Sequence, residues 1–159
     1  MVNSNFDTKR AVLVGETADV HFQRALTILR NEGVNPTVII EFVAERAGVF
    51  CGIAEVKALL GRVIPETGCE VWALEEGEML ESNEVALRVK APYGSVGLYE
   101  TAICGTLASH TGWATAAREC VDAANGVPVV AFGARYMHPN VAAELDYASV
   151  IGGCVSCST

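Results

Sequence analysis

Residues 127–153 read VPVVAFGARYMHPNVAAELDYASVIGG, and this stretch constrains the fold more than any other. A short apolar run (Val127, Val129, Val130, Ala131, Phe132) stops at Gly133, passes a loop holding Arg135 and His138, and restarts at Asn140 as an alanine-rich helical segment. The pattern predicts strand, loop, helix, with the strand over Val127–Phe132. Gly133 lets the backbone turn where a Cβ would obstruct, and Pro139 suits a first helical turn, where its missing N–H costs little. Amides at a helix start attract anions. Arg135 adds a planar cation that fits carboxylate or phosphate, and Phe132 offers a ring face at the strand's end. In parallel α/β folds the C-terminal ends of strands carry the chemistry. The plainer alternative is a capped core strand with Arg135 in a surface ion pair, and no phosphate-binding fingerprint of the usual kinds is present.

A chain of 159 residues fits one domain, or one plus part of another. With 51% hydrophobic and 19% charged residues it can bury a core. A net charge of −8 argues against nucleic acid or an anionic membrane as main partner. No apolar run reaches bilayer length, and the polar leader MVNSNFDTKR lacks a signal-peptide layout, so a cytoplasmic protein is expected. The six cysteines (Cys51, Cys69, Cys104, Cys120, Cys154, Cys157) sit in apolar or glycine-rich surroundings and read as reduced thiols. Cys154 and Cys157 form one C-x-x-C pair, which is not a zinc site, because a structural zinc needs four ligands and no second pair accompanies it, and which closes the chain rather than opening a helix. No metal ligands are therefore assigned.

In chain order, Ala11–Gly15 is predicted as a short strand or extended lead-in. A helical pattern begins at Glu16, with an apolar stripe of Val20, Ala25, Leu26, Ile28 and Leu29, a cap from Thr17 or Asp19, and a stop at Gly33. Asp19, His21 and Phe22 stand on its first turn, a mixed company for packing alone, although a cap and a half-exposed histidine would also produce it. After Asn35-Pro36, residues 37–45 read as a strand and Ile53–Leu60 as a helix ended by Gly61. Glu70–Leu74 is a strand, and the acidic run Glu75-Glu76-Gly77-Glu78 a solvated turn. Val85, Leu87 and Val89 alternate with Ala86, Arg88 and Lys90, the pattern of a strand buried on one face. This part reads as an α+β unit with a mainly antiparallel sheet. From Leu98 to Ala124 the pattern is helical, with breaks or a kink expected near Gly105 and Gly112. Glu100, Thr101, Thr111 and Thr115 are its notable polar residues, and each could simply bond the helix backbone.

Taken together, TADVHFQRALTILRNEGVNP, VWALEEGEML, PYGSVGLYETAICGTLASHTGWATAA, VVAFGARYMHPNVA and VIGGC resemble the type II phosphoribosyltransferases, most closely the nicotinate phosphoribosyltransferases of archaea and bacteria. The resemblance runs from Gly15 onward. Its most specific part pairs E-T-x(n)-T-G-x-A-T with F-G-A-R-x-x-H-P. It implies an N-terminal α+β domain over 1–97, a helical linker over 98–126, and over 127–159 the first strand-helix unit of an α/β barrel. It also implies a glycosyl transfer of NAD biosynthesis: nicotinate attacks C1 of phosphoribosyl pyrophosphate through its pyridine nitrogen. Pyrophosphate leaves with electrostatic help, Mg2+ arrives on the substrate's phosphates, and in many members ATP hydrolysis is coupled through a phosphorylated histidine.

Carried over by motif, Phe132 resembles the ring that stacks on nicotinate. Arg135 resembles the catalytic cation near base and ribose phosphate, and His138 a residue that orients the loop or touches phosphate. Asp19 and His21 match a D-x-Y segment that reaches into a neighbouring subunit's site, implying a homodimer with shared sites. Here His21 replaces the usual tyrosine; a neutral imidazole still stacks, and a protonated one would also attract a carboxylate. Ser158 lies near a position that separates carboxylate from amide, although the usual G-G-C-D-G-V-S reads Gly152-Gly153-Cys154-Val155-Ser156-Cys157-Ser158.

A closed barrel takes roughly 250 residues, far more than follow Val127, and the G-T-x-x-H segment with the phosphorylated histidine is absent. The chain therefore reads as the N-terminal part of such an enzyme: a truncated or proteolysed product, or one half of an enzyme made as two chains. Alone it is expected to be inactive. Two alternatives stand beside this reading. One is a non-catalytic dimerisation or partner-binding module. The other is a quinolinate phosphoribosyltransferase, against which the single arginine of FGARYMHP argues, because a two-carboxylate base calls for more cations. An unpaired edge at Val127–Phe132 predicts oligomers or a tightly held partner chain.

Overall fold

The computed structural model describes residues 7–158; the first six residues of the polar leader lie outside the described residues. In chain order the elements are α1 (Arg10–Leu13), α2 (Val20–Asn31), β1 (Thr37–Val43), β2 (Gly48–Val49), α3 (Ile53–Val63), β3 (Glu70–Ala73) and β4 (Met79–Leu80). Then follow β5 (Val85–Pro92), α4 (Tyr93–Val96), α5 (Glu100–Ala123), β6 (Val130–Ala131), α6 (Ala142–Ile151) and β7 (Ser156–Cys157). The chain divides into two compact units. One takes the described residues up to Val43 with Ala54–Ala73 and Val85–Thr106; the other takes Ala44–Ile53, Leu74–Glu84 and the described residues from Leu107 on.

The first unit is built on an antiparallel sheet of order β1-β5-β3. The central strand earns its place by composition: Leu87, Val89 and Ala91 are fully buried, and Ala86 joins them where the alternation predicted an outward residue. On the other face Arg88 lies opposite Glu41 and Lys90 opposite Glu70, with N–O distances of 2.6 and 2.7 Å. Such exposed cross-strand pairs fix register more than they add stability, about 0–1 kcal/mol each.

Four expectations in this unit need correction. Ala11–Gly15 is not a strand: Arg10–Leu13 form a helical turn in which the Val12 and Leu13 N–H groups bond the Lys9 carbonyl, because a short segment without a ladder partner satisfies its backbone best by a turn. The next helix starts at Val20 rather than Glu16, and Asp19 occupies its N-cap position without a side-chain cap bond. Within the expected stripe only Leu26 is fully buried, while Val20 and Ile28 face solvent. Gly61 does not end α3, which runs to Val63 and stops before Ile64-Pro65, since the residue ahead of a proline disfavours helical backbone. Gly33, with φ +67°, does end its helix as predicted.

Helix α5 is one continuous element of 24 residues, not two. Gly105 and Gly112 are tolerated because a buried stripe of Ile103, Leu107, His110, Ala114 and Ala117 outweighs the ~1 kcal/mol that each glycine costs.

In the second unit, β2 and β4 pair antiparallel, and β6 and β7 pair parallel through Val130–Ser156 and Ala131–Cys157. Helix α6 is the crossover between the parallel strands, which is the connection such a pair requires. Val49, Cys51, Ala114 and Ala148 form its buried core, with Trp113, Tyr147 and Ile151 packed against it. A Cβ on Gly152 would overlap the Ala114 carbonyl and stand 2.7 Å from Ala117 Cβ, so α5 and the end of α6 meet backbone to backbone. The expected strand Val127–Phe132 is only two residues long, because β7 offers a ladder of only two. The fold class is the expected one: mixed α+β with an antiparallel sheet, then the first strand-helix step of a parallel α/β arrangement. Among the described residues no helix is long and apolar enough to cross a membrane.

Candidate functional site

The chain leaves β6 through Phe132 and Gly133, makes a tight helical turn at Ala134–Tyr136, extends at Met137, and enters a second turn at Pro139–Val141 that leads into α6. Gly133 has an ordinary right-handed backbone (φ −90°), so its requirement is space: a Cβ there would overlap Leu145 Cδ2. Arg135 folds back so that its Cζ lies 5.4 Å from the centre of the Phe132 ring, within cation–π range. Both side chains are exposed, Phe132 to 57%. Among the described residues Arg135 pairs with no carboxylate, which removes the surface ion pair of the plainer reading.

His138 caps the second turn, its Nδ1 accepting the Asn140 N–H at 3.1 Å, with Pro139 in the first turn as predicted. With Nδ1 an acceptor, Nε2 is left to donate outward to an oxygen. Ser158 follows β7 directly. Since Ala131 pairs with Cys157, Phe132 and Ser158 are the next residues on adjacent parallel strands, at the C-terminal ends where α/β folds hold ligands. Phe132, Arg135, His138 and Ser158 thus belong to one end of one β-α-β step.

Asp19 and His21 lie in the other unit and form a cluster of their own. The Asp19 backbone N–H donates to Thr101 Oγ1 at 3.2 Å, and the His21 and Phe22 rings stand 4.0 Å apart. Thr101 donates to one oxygen of Glu100 and the Cys104 thiol, at 3.3 Å, to the other. Local desolvation first, then the Glu100 bond and charge, pushes the Cys104 thiol up to about 11, so it is a poor nucleophile at neutral pH. Desolvation and the same carboxylate raise Tyr93.

Sequence reasoning missed a second polar node, because Glu76 looked like one more charge of a solvated turn. Its two carboxylate oxygens accept the Gly52 N–H at 3.0 and 3.2 Å, and its charge reaches the Cys51 thiol and the Tyr147 phenol. Burial first, then the Glu76 charge, drives both the thiol and the phenol above their ordinary ranges. Two threonines complete the frame. Thr115 Oγ1 accepts the Val49 N–H at 2.9 Å while donating to the Thr111 carbonyl. Thr111 Oγ1 accepts the Cys51 N–H and donates to the Cys51 carbonyl, both at 3.2 Å. The available signal was the T-x-x-x-T spacing, which puts two hydroxyls on one helix face.

The second unit therefore presents an exposed ring, a planar cation with no ion pair among the described residues, an imidazole and a hydroxyl at one sheet end. That set fits a flat ring bearing a carboxylate. Among the described residues no group of three or more His, Cys, Asp or Glu could hold a metal ion.

The family described as quinolinate phosphoribosyl transferase, N-terminal domain, matches residues 19–111. Nicotinate phosphoribosyltransferase pncB2 of Mycobacterium tuberculosis is 34% identical over 90 residues, 56% of this chain and 19% of that protein. The crystal structure of nicotinate-nucleotide pyrophosphorylase from Pyrococcus furiosus superposes with a TM-score of 0.88 at 34% identity, covering 100% of this chain and 41% of that one. Human nicotinic acid phosphoribosyltransferase shares the fold with a TM-score of 0.77 at 17% identity, over 90% of this chain and 36% of its own. The chain thus spans less than half the length of each of these relatives.

Proposed function

Because the chain belongs to the quinolinate phosphoribosyl transferase N-terminal domain family, whose match spans more than half of it, we propose that it forms part of a phosphoribosyltransferase making a pyridine mononucleotide for NAD biosynthesis. The base is nicotinate. The observation that carries this reading is the Phe132–Arg135 pair: the ring offers a stacking face, and the guanidinium above it one fixed, bidentate carboxylate partner. Ser158 and the outward Nε2 of His138 supply neutral hydrogen-bonding groups for a carboxylate or a phosphate at the same sheet end.

In the transfer, the pyridine nitrogen attacks C1 of phosphoribosyl pyrophosphate. The chain's part is to hold the base flat and its carboxylate anchored, so that the nitrogen faces C1. Magnesium comes with the diphosphate of the substrate. Asp19 and His21 serve the neighbouring subunit's site, which makes the working form a homodimer or an assembly with a chain carrying the rest of the barrel.

Quinolinate is the second reading, favoured by the name of the matching family. It carries two carboxylates, and the loop carries one arginine. Titration of the 159-residue chain with nicotinate, quinolinate and nicotinamide, followed by NMR, separates the readings. Nicotinate is expected to perturb Arg135 and Phe132 at the lowest concentration, and Arg135→Ala to weaken it by at least about tenfold, the worth of one charge-assisted bond. Tighter binding of quinolinate would replace the first reading with the second. Equal binding of nicotinamide would sink both.

A further inference from the structure

Helix α6 is held on two sides, and one side touches the candidate site. Leu145 fills the space beside Gly133 that any side chain there would need. Tyr147, about 200° further around the helix, packs against the buried core of Val49, Cys51, Ala114 and Ala148, where its phenol feels the Glu76 carboxylate. Glu76 is itself pinned by the Gly52 N–H, which both of its carboxylate oxygens accept.

We propose that Leu145, Tyr147 and Glu76 are positioning residues: Glu76 and Tyr147 anchor α6, and Leu145 transmits that anchorage to the Gly133 turn, which sets Arg135 over Phe132. The inference rests on reading that pair as the base site. Arg135 is long and exposed, so unaided it would sample many rotamers, and ordering it on binding would cost affinity. A turn fixed from behind by a packed helix removes that cost without touching the ligand. The acidic turn of Glu76 thereby acquires a function through α6, although it contributes no group to the ligand.

The test uses the 159-residue chain and two readouts: the Arg135 side-chain proton shifts, which the Phe132 ring displaces with or without ligand, and the affinity for nicotinate. Gly133→Ala forces Leu145 away and is expected to return the Arg135 shifts toward solvent values and weaken nicotinate about tenfold. Adding Leu145→Ala should bring both back toward the parent, a coupling between the two substitutions that independent sites would not show. Tyr147→Phe, which removes only a hydroxyl, should move the Arg135 shifts in the same direction. Should that variant fail to fold, Glu76→Gln gives the same readout with an acceptor retained for Gly52. Unmoved Arg135 shifts in the folded variant, or purely additive effects of Gly133→Ala and Leu145→Ala, overturn the strut. A parent chain that ignores nicotinate while its Arg135 shifts respond to these substitutions overturns the base-site reading and leaves the strut standing.

Discussion

At the scale of single residues, planarity and partners matter more than charge. Arg135→Lys keeps the charge but loses the fork and the stacking plane, so nicotinate affinity should fall nearly as far as with alanine, measured by the same titration. Thr115→Val is nearly isosteric, yet it removes the acceptor of the Val49 N–H. It should cost about 1–3 kcal/mol in urea unfolding with an unchanged m-value, while Thr115→Ser recovers most of the loss. Cys104, raised to about 11, contributes stability that is fully present below the ordinary thiol range and is lost as pH climbs through about 11. Its alkylation by iodoacetamide should reach half-maximal rate near pH 11, and Glu100→Gln should lower that midpoint. Some of this was legible in the residues alone: Phe132, Gly133, Arg135 and Pro139 announce a strand-end loop through conformation and charge. Glu76 does not, because its partner is a backbone amide 24 positions earlier, which no local pattern encodes.

Elements were legible where the period was long and the contrast sharp. β5 reads correctly because alternation over several residues has one solution, whereas Arg10–Leu13 is too short for either period to register. α5 misled through its glycines, since propensity is a weak prior beside a five-residue buried stripe. That difference is measurable. Gly105→Ala and Gly112→Ala meet open space and should each stabilise by about 0.5–1 kcal/mol. Gly152→Ala drives a methyl into the Ala114 carbonyl and should destabilise by about 1–3 kcal/mol. Thermal melts of the three variants give the signs directly.

Across the whole molecule, the feature with most consequence is the parallel pair β6 and β7. Val127 at 67% and Val130 at 52% exposure on one segment, and Val155 at 65% on the segment hydrogen-bonded beside it, leave apolar side chains open to water. Concentration-dependent association is expected in sedimentation, and Val130→Lys together with Val155→Lys should suppress it. The sequence identified the strand but not its length, since length depends on how much ladder the partner supplies. That two-rung ladder has a temporal consequence. Protection against amide exchange scales with the structure that must open. Val130 to Phe132 and Ser156 should therefore trade their protons with heavy water by local breathing, well ahead of the Leu87–Ala91 amides. A bound base would slow that clock, so the exchange rate at the end of β6 is itself a gauge of occupancy.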